Sequence, residues 1–321
     1  MSLGQPSQGR EILRLESLWK RYGQITAVAD MNLSVFDGEV FSFLGPNGSG
    51  KSTTVGMILG LVRPTKGRAL AFGSDMATHP WPALKRIGAV VETPAFYPYL
   101  SGHDNLRALS IMLGDVPKGR IDGMLELVGL QERGRDPYKT YSLGMKQRLG
   151  IASTLLRDPQ LIILDEPTNG LDPAGTAEVR ELIPRLAHEG RSVFLCSHLL
   201  HEVQQVSDRV GIVKKGRLVA QGTVDELLGR GQFLRLRADD NEALRRALDG
   251  IPWVSRIEYV DGYVRAAVPT ARAAELNRTL AAREVYLSEL TPWETDLESV
   301  FLELTGEELT GEPMTEEAAK R

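Results

Sequence analysis

The stretch Leu44-Gly-Pro-Asn-Gly-Ser-Gly-Lys-Ser-Thr53 decides the fold of this chain. From Gly45 to Ser52 it has the spacing G-x-x-x-x-G-K-[ST], which wraps the backbone around a row of phosphates. Residues 39–44 alternate like a buried strand, and residues 53–61 carry apolar side chains at helical spacing. This order of strand, loop and helix directs backbone N–H groups and the positive end of the helix at one anion. The sequence therefore predicts a phosphate-binding loop.

Several side chains of the loop have separate predicted tasks. Gly45, Gly48 and Gly50 allow positive φ and admit a phosphate without a Cβ in the way. Lys51 offers a positive charge to the β- and γ-phosphates of a nucleotide. The Ser52 hydroxyl can bind Mg²⁺. The alternative, a glycine-rich turn before an ordinary helix, does not explain why all the fixed positions occur together.

Length and composition limit the classes of protein that this chain can be. Its 321 residues exceed one average domain and predict two domains, one of them small. The net charge of −4 argues against a nucleic-acid partner, because such binding depends on neutralising phosphates. Cys196 is the only cysteine, so we expect no disulfide framework and a reducing cytosol. Residues 1–10 lack the apolar core of a secretory signal and are expected to be flexible, and no apolar run approaches the roughly 20 residues of a membrane span.

Two further strands end in residues suited to phosphate chemistry. Residues 161–164 are fully apolar, as in a parallel sheet covered on both faces, and Asp165 and Glu166 follow them. Residues 192–196 predict a second buried strand, and His198 follows it closely. Ligands bind at the carboxyl ends of strands in open α/β sheets, so we expect these three side chains beside the phosphate loop. The alternatives are a solvated strand end and a histidine that merely begins a helix.

The middle of the chain predicts a helical lobe at about residues 93–158, inserted after a strand at 87–91. Residues 104–113 and 121–128 have helical spacing. The segment Tyr141-Ser-Leu-Gly-Met-Lys-Gln-Arg148 then begins another helix, whose N-terminus is a second potential anion site.

The character of the sequence changes near residues 228–231. Residues 232–290 predict strand, helix, strand, strand, helix and strand, which is the split βαβ pattern, with Asp261-Gly262 as a hairpin turn. A last helix has one apolar stripe. We therefore predict a small α+β, ferredoxin-like domain at residues 232–305 and an acidic tail at residues 306–321.

Taken in order, the motifs of residues 12–225 resemble the nucleotide-binding subunit of ATP-binding cassette (ABC) transporters. Residues 45–52 resemble its Walker A loop, and residues 161–166 resemble its Walker B strand. Asn169-Gly-Leu-Asp172 is similar to the D-loop, and His198 matches the switch histidine. Residues 142–147 resemble a divergent form of the signature Leu-Ser-Gly-Gly-Gln.

The resemblance implies an α/β fold at residues 11–228, a P-loop NTPase cassette with a RecA-like core, an antiparallel β subdomain and the helical lobe. It also implies that Glu166 activates the attacking water and that His198 holds this water in line. Tyr22 matches the aromatic residue that stacks on adenine, although a loop tyrosine by itself is more often a packing residue. The resemblance further implies that ATP is bound by Gly45, Pro46, Asn47, Gly48, Ser49, Gly50, Lys51, Ser52, Thr53 and Glu92. It implies that Ser52 and Asp165 bind Mg²⁺. The signature would consist of Ser142, Leu143, Gly144 and Met145, and Asp172 would belong to the D-loop.

The family resemblance also implies partners. One Walker A motif cannot complete such a site alone, so we expect a second copy of this chain across an ATP sandwich, with each signature contacting the nucleotide of the other copy. We expect a separate integral membrane permease, with this subunit peripheral on the cytoplasmic face of the cell membrane. Phe96, Tyr97 and Tyr99 would suit the permease interface, or would pack within the lobe. No nucleic acid is expected.

Two departures from the family pattern indicate which group of cassettes the chain resembles most. Glu92 stands where a glutamine is usual, and this carboxylate could bind Mg²⁺ but adds negative charge beside a triphosphate. Leu143 and Met145 replace a glycine and the glutamine of the signature. These features resemble cassettes of bacterial multidrug and peptide-antibiotic exporters of the lantibiotic-immunity type.

The sequence thus favours an ATP-hydrolysing subunit that energises an exporter of drugs, peptides or lipid-like substrates. An importer cassette is one alternative. A non-transport cassette acting on ribosomes or DNA is another, but such relatives generally carry two cassettes or long coiled coils, and these 321 residues contain neither.

Overall fold

The computed structural model describes residues 9–229, 233–260, 262–293 and 296–305. The chain divides between Gly222 and Thr223 into two compact units, and the second continues to Glu303. This division falls before the boundary expected at residue 228. Most of the N-terminus expected to be flexible, Asp261 of the expected hairpin turn and the acidic tail lie outside the described residues.

Strands and helices are interspersed along the first unit. Its strands are β1 (Glu11–Tyr22), β2 (Ile25–Phe36), β3 (Val40–Leu44), β4 (Lys66–Ala71), β5 (Ser74–Asp75), β6 (Ile87–Val90), β7 (Leu161–Asp165), β8 (Ser192–Ser197), β9 (Arg209–Lys214) and β10 (Arg217–Thr223). Its helices are α1 (Lys51–Ile58), α2 (Trp81–Leu84), α3 (Gly102–Leu113), α4 (Arg120–Leu127), α5 (Leu143–Thr154), α6 (Pro173–His188) and α7 (Leu200–Val206). Among the described residues, no helix combines the length and apolar character needed to cross a lipid bilayer.

A six-stranded sheet in the order β10-β9-β3-β8-β7-β6 forms the centre of the first unit. Its strands from β9 to β6 are parallel, and every residue of β3, β7 and β8 is buried. Leu44 pairs with Ser197, and Asp165 pairs with Cys196, so the carboxyl ends of these three strands are aligned. The phosphate loop, Glu166 and His198 therefore begin at the same edge of the sheet.

Both faces of this sheet are covered by apolar side chains. Leu161 and Ile163 of β7 belong to a buried cluster shared with α1 and with an antiparallel sheet in the order β2-β1-β4-β5. Ile162 and Leu164 point the other way, into a cluster shared with α3, α4, α5 and α6. This alternation explains why a strand covered on both faces has no polar residue until Asp165. The arrangement matches the expected α/β core with antiparallel and helical subdomains.

The aromatic residues before α3 divide into one half-buried side chain, Phe96, and two exposed ones. The Phe96 ring packs on Tyr138, with 5.3 Å between the ring centroids. Tyr97 and Tyr99 are 69% and 80% exposed. Of the two alternatives for this loop, packing inside the lobe applies to Phe96 but not to the two tyrosines.

The second unit is an α+β sandwich. Its elements are α8 (Val224–Leu228), β11 (Phe233–Ala238), α9 (Asn241–Asp249), β12 (Ile257–Val260), β13 (Tyr263–Ala267), α10 (Ala273–Ala281), β14 (Leu287–Pro292) and α11 (Leu297–Thr305). The strand order is β12-β13-β11-β14, and all neighbours are antiparallel, which is the split βαβ arrangement. Leu244 of α9 and Leu276 of α10 are buried in one cluster with Leu234 and Val264 of the sheet.

Some expected boundaries differ from those observed. The sequence pattern predicts a strand from Val254 to Val260, whereas β12 begins at Ile257, because Pro252 favours a turn and the Val254 N–H donates to the Ile251 carbonyl. Tyr22 was expected in a loop but is the last residue of β1. The short helices α2, α7 and α8 were not predicted, since fewer than two turns give too few residues for a periodic pattern.

Candidate functional site

The phosphate loop lies tightly against neighbouring strands. The Gly45 N–H donates to the Ser197 carbonyl at 3.3 Å. A Cβ at position 45 would lie 2.4 Å from the Val213 carbonyl oxygen, so close approach requires glycine there. Gly45 does not use the positive φ that glycine allows, since its backbone is outside the left-handed region, whereas Gly50 has φ of 100°.

The remaining loop residues differ in burial. Ser49 is buried, and its hydroxyl oxygen has no hydrogen-bond partner among the described residues. Asn47 and Gly48 are exposed, and Gly48 has a positive φ of 76°. Pro46 is half-buried, as is Thr53 in the first turn of α1. The loop thus presents its backbone at the surface above a buried hydroxyl.

Lys51 is held inside the loop that it follows. Its ammonium donates to the Gly45 carbonyl at 2.7 Å and to the Pro46 carbonyl at 3.3 Å. The same nitrogen lies 3.1 Å from Oε1 of Glu166, and the Lys51 side chain is only 5% exposed. The buried ammonium at the end of the loop is a positive group that can pair with an anion bound there.

The Glu166 carboxylate joins the loop to the histidine. Its Oε2 accepts from Nδ1–H of His198 at 2.7 Å. Burial alone would raise the pKa of the Glu166 carboxyl, but the His198 hydrogen bond and the Lys51 charge outweigh it and hold the pKa below its ordinary value. The carboxylate is therefore ionised at neutral pH. Glu166 also has φ of 50°, a conformation that is uncommon for a residue other than glycine and concentrates at functional sites.

Asp165 is a buried carboxylate with one open oxygen. The residue is 4% exposed, and its Oδ1 has no hydrogen-bond partner among the described residues. Burial raises the pKa of the Asp165 carboxyl above its ordinary value, although a hydrogen bond with the Ser52 hydroxyl opposes that rise. A carboxylate oxygen and a hydroxyl are the hard oxygen ligands that Mg²⁺ prefers. These two residues therefore fit a magnesium ion.

The signature and D-loop residues lie at two helix N-termini. Ser142 caps α5, and its hydroxyl accepts from the Met145 N–H at 3.2 Å. Asp172 caps α6, and its Oδ1 accepts from the Gly175 N–H at 3.0 Å. Leu143 is 43% exposed. Ser142, Leu143 and Asp172 are exposed, so an anion approaching from solvent can reach the starts of both helices.

Tyr22 and Glu92 stand apart from the hydrogen bonds described so far. The Tyr22 ring is half exposed, and the Lys20 ammonium lies 4.7 Å from its centroid. Glu92 is exposed and has φ of 61°. In the described part of the chain, the contacts that join Lys51, Glu166 and His198 include neither residue.

The structure also contains neighbours of the site that no motif singled out. The Cys196 thiol is fully buried, interacts with the Asp165 carboxyl, and has its pKa raised well above the ordinary value by that burial. The Gly216 N–H donates to the Ser49 carbonyl at 3.0 Å, which attaches the turn between β9 and β10 to the loop. The register of β7 against β8 could have predicted the cysteine, but nothing in the sequence ties Gly216 to Ser49.

These groups together can bind a polyphosphate and attack it with water. The loop and Lys51 would hold the phosphates, while Asp165 and Ser52 fit a metal ion that neutralises them. The ionised Glu166 lies at the same strand edge and can accept a proton. Hydrolysis of a nucleoside triphosphate is the chemistry that this combination supports.

Comparison with known proteins gives a consistent result. The family model described as ABC transporter matches residues 28–169. The bacitracin transport ATP-binding protein of Enterococcus faecalis is 36% identical, over 92% of this chain and 96% of that protein. The lantibiotic transport ATP-binding protein of Streptococcus pyogenes is 40% identical, over 67% of this chain and 92% of that protein. A solved dimeric ATP-binding cassette, in a post-hydrolysis state with ADP and phosphate, aligns with a TM-score of 0.59 and 25% identity, over 66% of this chain and 99% of that one.

Proposed function

Because the chain belongs to the ABC transporter family, as an ATP-binding and ATP-hydrolysing subunit that energises a membrane permease, we propose that its permease exports a peptide antibiotic. Relatives that align over most of their length are named for bacitracin and lantibiotic transport, which supports this cargo class. The unusual Glu92 and the Leu143 and Met145 of the signature agree with the same group of cassettes.

One observation carries the assignment of hydrolysis to this site. An ionised Glu166 lies 3.1 Å from the loop lysine and 2.7 Å from His198, at the strand edge where the phosphate loop begins. We assign Glu166 as the base that takes a proton from the attacking water, a role that contributes about 10²–10⁴-fold to rate. We assign His198 to hold the carboxylate and the water in line.

The substrate contacts follow from the same geometry. We assign the triphosphate to residues 45–53, with Lys51 on the β- and γ-phosphates, and adenine to the half-exposed ring of Tyr22. Ser52 and Asp165 would hold Mg²⁺, with Glu92 as a further candidate. The bound ion would neutralise charge on the β- and γ-phosphate oxygens.

The functional form in this proposal is a dimer of two identical chains. Residues 142–145 and Asp172 of one copy would face the nucleotide bound by the other copy. The exposed residues at the starts of α5 and α6 support this assignment, because a helix N-terminus attracts an anion that approaches from solvent. The aligned cassette solved as a dimer with ADP and phosphate is further support.

We further propose that the subunit is peripheral on the cytoplasmic face of the cell membrane. The exposed Tyr97 and Tyr99 are candidates for contact with the permease, because large exposed aromatic side chains are enriched at protein interfaces. Phe96 is not a candidate, since it packs on Tyr138.

The test of hydrolysis is Glu166→Gln in the full-length chain. The variant should bind ATP but lose at least about 100-fold in turnover, and ATP should hold it as a dimer. Turnover like that of the wild type would remove Glu166 as the base.

The test of cargo is protection of a sensitive bacterium that expresses this chain with its permease. The wild type should raise the concentration of bacitracin or a lantibiotic needed to stop growth, and Glu166→Gln should not. Unchanged sensitivity to both peptides, with ATP turnover intact, would contradict peptide-antibiotic export.

A further inference from the structure

The helices α5 and α6 begin side by side, and two glycines permit this. A Cβ at Gly144 would lie 3.3 Å from the Cα of Gly175, and a Cβ at Gly175 would lie 3.5 Å from the Cα of Gly144. Both contacts are with backbone atoms, which cannot rotate away as a side chain would. A Cβ at Gly144 would therefore be a tight contact, whereas a Cβ at Gly175 would pack on Gly144 at an ordinary distance.

Gly175 also adjoins the residue that ends the D-loop. A Cβ at Gly175 would lie 2.8 Å from Oδ1 of Asp172, the same oxygen that accepts from the Gly175 N–H. On the other side of the contact, Leu143 Cδ2 would lie 3.4 Å from a Cβ at Gly170. The signature thus lies close to the start of α6, where Gly144 faces Gly175, and close to the D-loop, where Leu143 faces Gly170.

An ion pair bridges the same two helices further along. Nη2 of Arg148 in α5 lies 3.1 Å from Oε2 of Glu178 in α6, and the Arg148 side chain is only 12% exposed. Its Nη1 donates to the Val128 carbonyl at 2.8 Å, which fixes the guanidinium. A cavity of about 270 Å³, lined in part by Arg148, Glu178 and Glu181, lies beside this bridge. The Arg148–Glu178 pair therefore joins α5 to α6 at a second place, beyond the two glycines.

We propose that Gly175 is a positioning residue for ATP hydrolysis. Its missing side chain leaves room for the Asp172 carboxylate that ends the D-loop, residues 169–172, and so sets the spacing between the D-loop and the signature, residues 142–145. One copy thereby presents both segments together to the nucleotide of its partner. The inference rests on the proposed dimer with a shared site. Gly175 acts through Asp172, and the Arg148–Glu178 pair holds α5 and α6 together further along.

The test uses two mixed dimers of full-length chains, each with a single competent site. In the first dimer, one copy carries Glu166→Gln with Gly175→Ala and the other copy is wild type. In the second dimer, Gly175→Ala is moved to the copy that keeps Glu166. Each competent site takes its signature and D-loop from the copy without Glu166. That copy carries Gly175→Ala only in the first dimer. Gly123→Ala, where an added Cβ has no neighbour within 4 Å, is the matched control in both arrangements.

The expected result is a loss of turnover confined to one arrangement. The first dimer should be slower than its Gly123→Ala control by about tenfold or more, since small misplacements of catalytic groups have effects of this size. The second dimer should match its control, and isolated Gly175→Ala chains should bind ATP and melt like the wild type.

Two outcomes would overturn the proposal. Equal slowing of both dimers would show a general folding defect, and no slowing of either would show that the spacing does not matter. Absence of turnover in the wild-type dimer would instead contradict the proposed function itself. Glu178→Gln gives a second, milder test in the first arrangement, and Glu181→Gln, which lines the same cavity, is its control.

Discussion

Lys51 and Glu166 form a largely buried ion pair at the centre of the site. Lys51 is bound by two loop carbonyls and by Glu166, and Glu166 is bound in turn by His198. A nucleotide phosphate that takes up the Lys51 charge must therefore compete with the Glu166 carboxylate. Breaking a buried charge pair is costly, so this competition weakens nucleotide binding.

Glu166→Gln should therefore tighten ADP binding even though ADP is not hydrolysed. Removing the competing charge should raise ADP affinity by about tenfold, equivalent to roughly 1.4 kcal/mol. Calorimetric titration of the purified variants with ADP measures the change. Glu181→Gln, a change of an exposed residue on α6, should leave ADP affinity unaltered. Unchanged or weaker ADP binding by Glu166→Gln would show that the ion pair does not restrain Lys51.

For individual residues, the sequence predicted which side chains form the site but not the contacts between them. The motifs assigned Lys51, Asp165 and Glu166 to a ligand, and aligned strand ends explain why they meet. The direct Lys51–Glu166 pair was not predicted, because motif spacing says what each residue offers to a ligand and not what it binds within the chain. The reason for glycine at position 45 was also missed, since the Val213 carbonyl comes from a strand far away in the sequence.

At the scale of elements, Asp158 ties the helical lobe to the parallel sheet. Its Oδ1 accepts from Arg120 of α4 and from Arg191 just before β8, each at 2.8 Å. The hydrogen bond from Arg191, followed by that from Arg120, holds the pKa of the Asp158 carboxyl below its ordinary value of 3.8. The side chain is 68% exposed, so solvent screens much of this interaction.

Asp158→Asn should lower stability modestly at neutral pH. Asparagine tolerates the left-handed backbone at this position, where φ is 53°, so the loss of stability reflects the lost charge alone. We expect the free energy of unfolding to fall by about 0.5–1 kcal/mol and the melting temperature to fall by roughly 1–4 °C. Because the folded-state pKa is depressed, the Asp158 contribution is fully present above pH 3.8 and is lost as the pH falls through the folded-state value. Thermal unfolding from pH 7 downwards should show a constant difference that shrinks only below about pH 4. Asp115→Asn, at an exposed position, is the control, and a difference that grew on acidification would contradict the argument.

The elements that sequence could predict are those with strong local patterns. The apolar runs of β3, β7 and β8 indicate buried parallel strands, and the amphipathic spacing of α9 and α10 indicates helices on one face of a sheet. Short helices such as α7 have too few residues for a pattern. The approach of α5 to α6 at Gly144 and Gly175 depends on how separate elements pack, which no local pattern encodes.

In the molecule as a whole, the first unit by itself contains the complete core of the nucleotide-binding fold. Both apolar clusters that cover its parallel sheet draw only on residues before Thr223. The second unit has its own sheet and its own buried cluster. Each unit therefore has the apolar core that independent folding requires.

Truncation after Gly229 should leave a folded fragment. It should unfold cooperatively and bind a fluorescent ATP analogue with an affinity within about twofold of the full chain, because the core and the loop are intact. Circular dichroism melting and fluorescence titration check the two expectations. An insoluble fragment, or one without a cooperative transition, would show that the second unit is needed for the first to fold.

ATP hydrolysis by this chain energises a separate membrane permease, and co-purification tests this coupling. Tagged chain is isolated from its native membrane, the accompanying proteins are identified, and ATP turnover is measured with and without them. An integral membrane protein with several spans should accompany the chain and raise its turnover, and that gain should vanish in Glu166→Gln. Recovery of ribosomal or chromosomal partners in place of any membrane protein would contradict the coupling to a permease. The ATP site would then act in a process other than membrane transport.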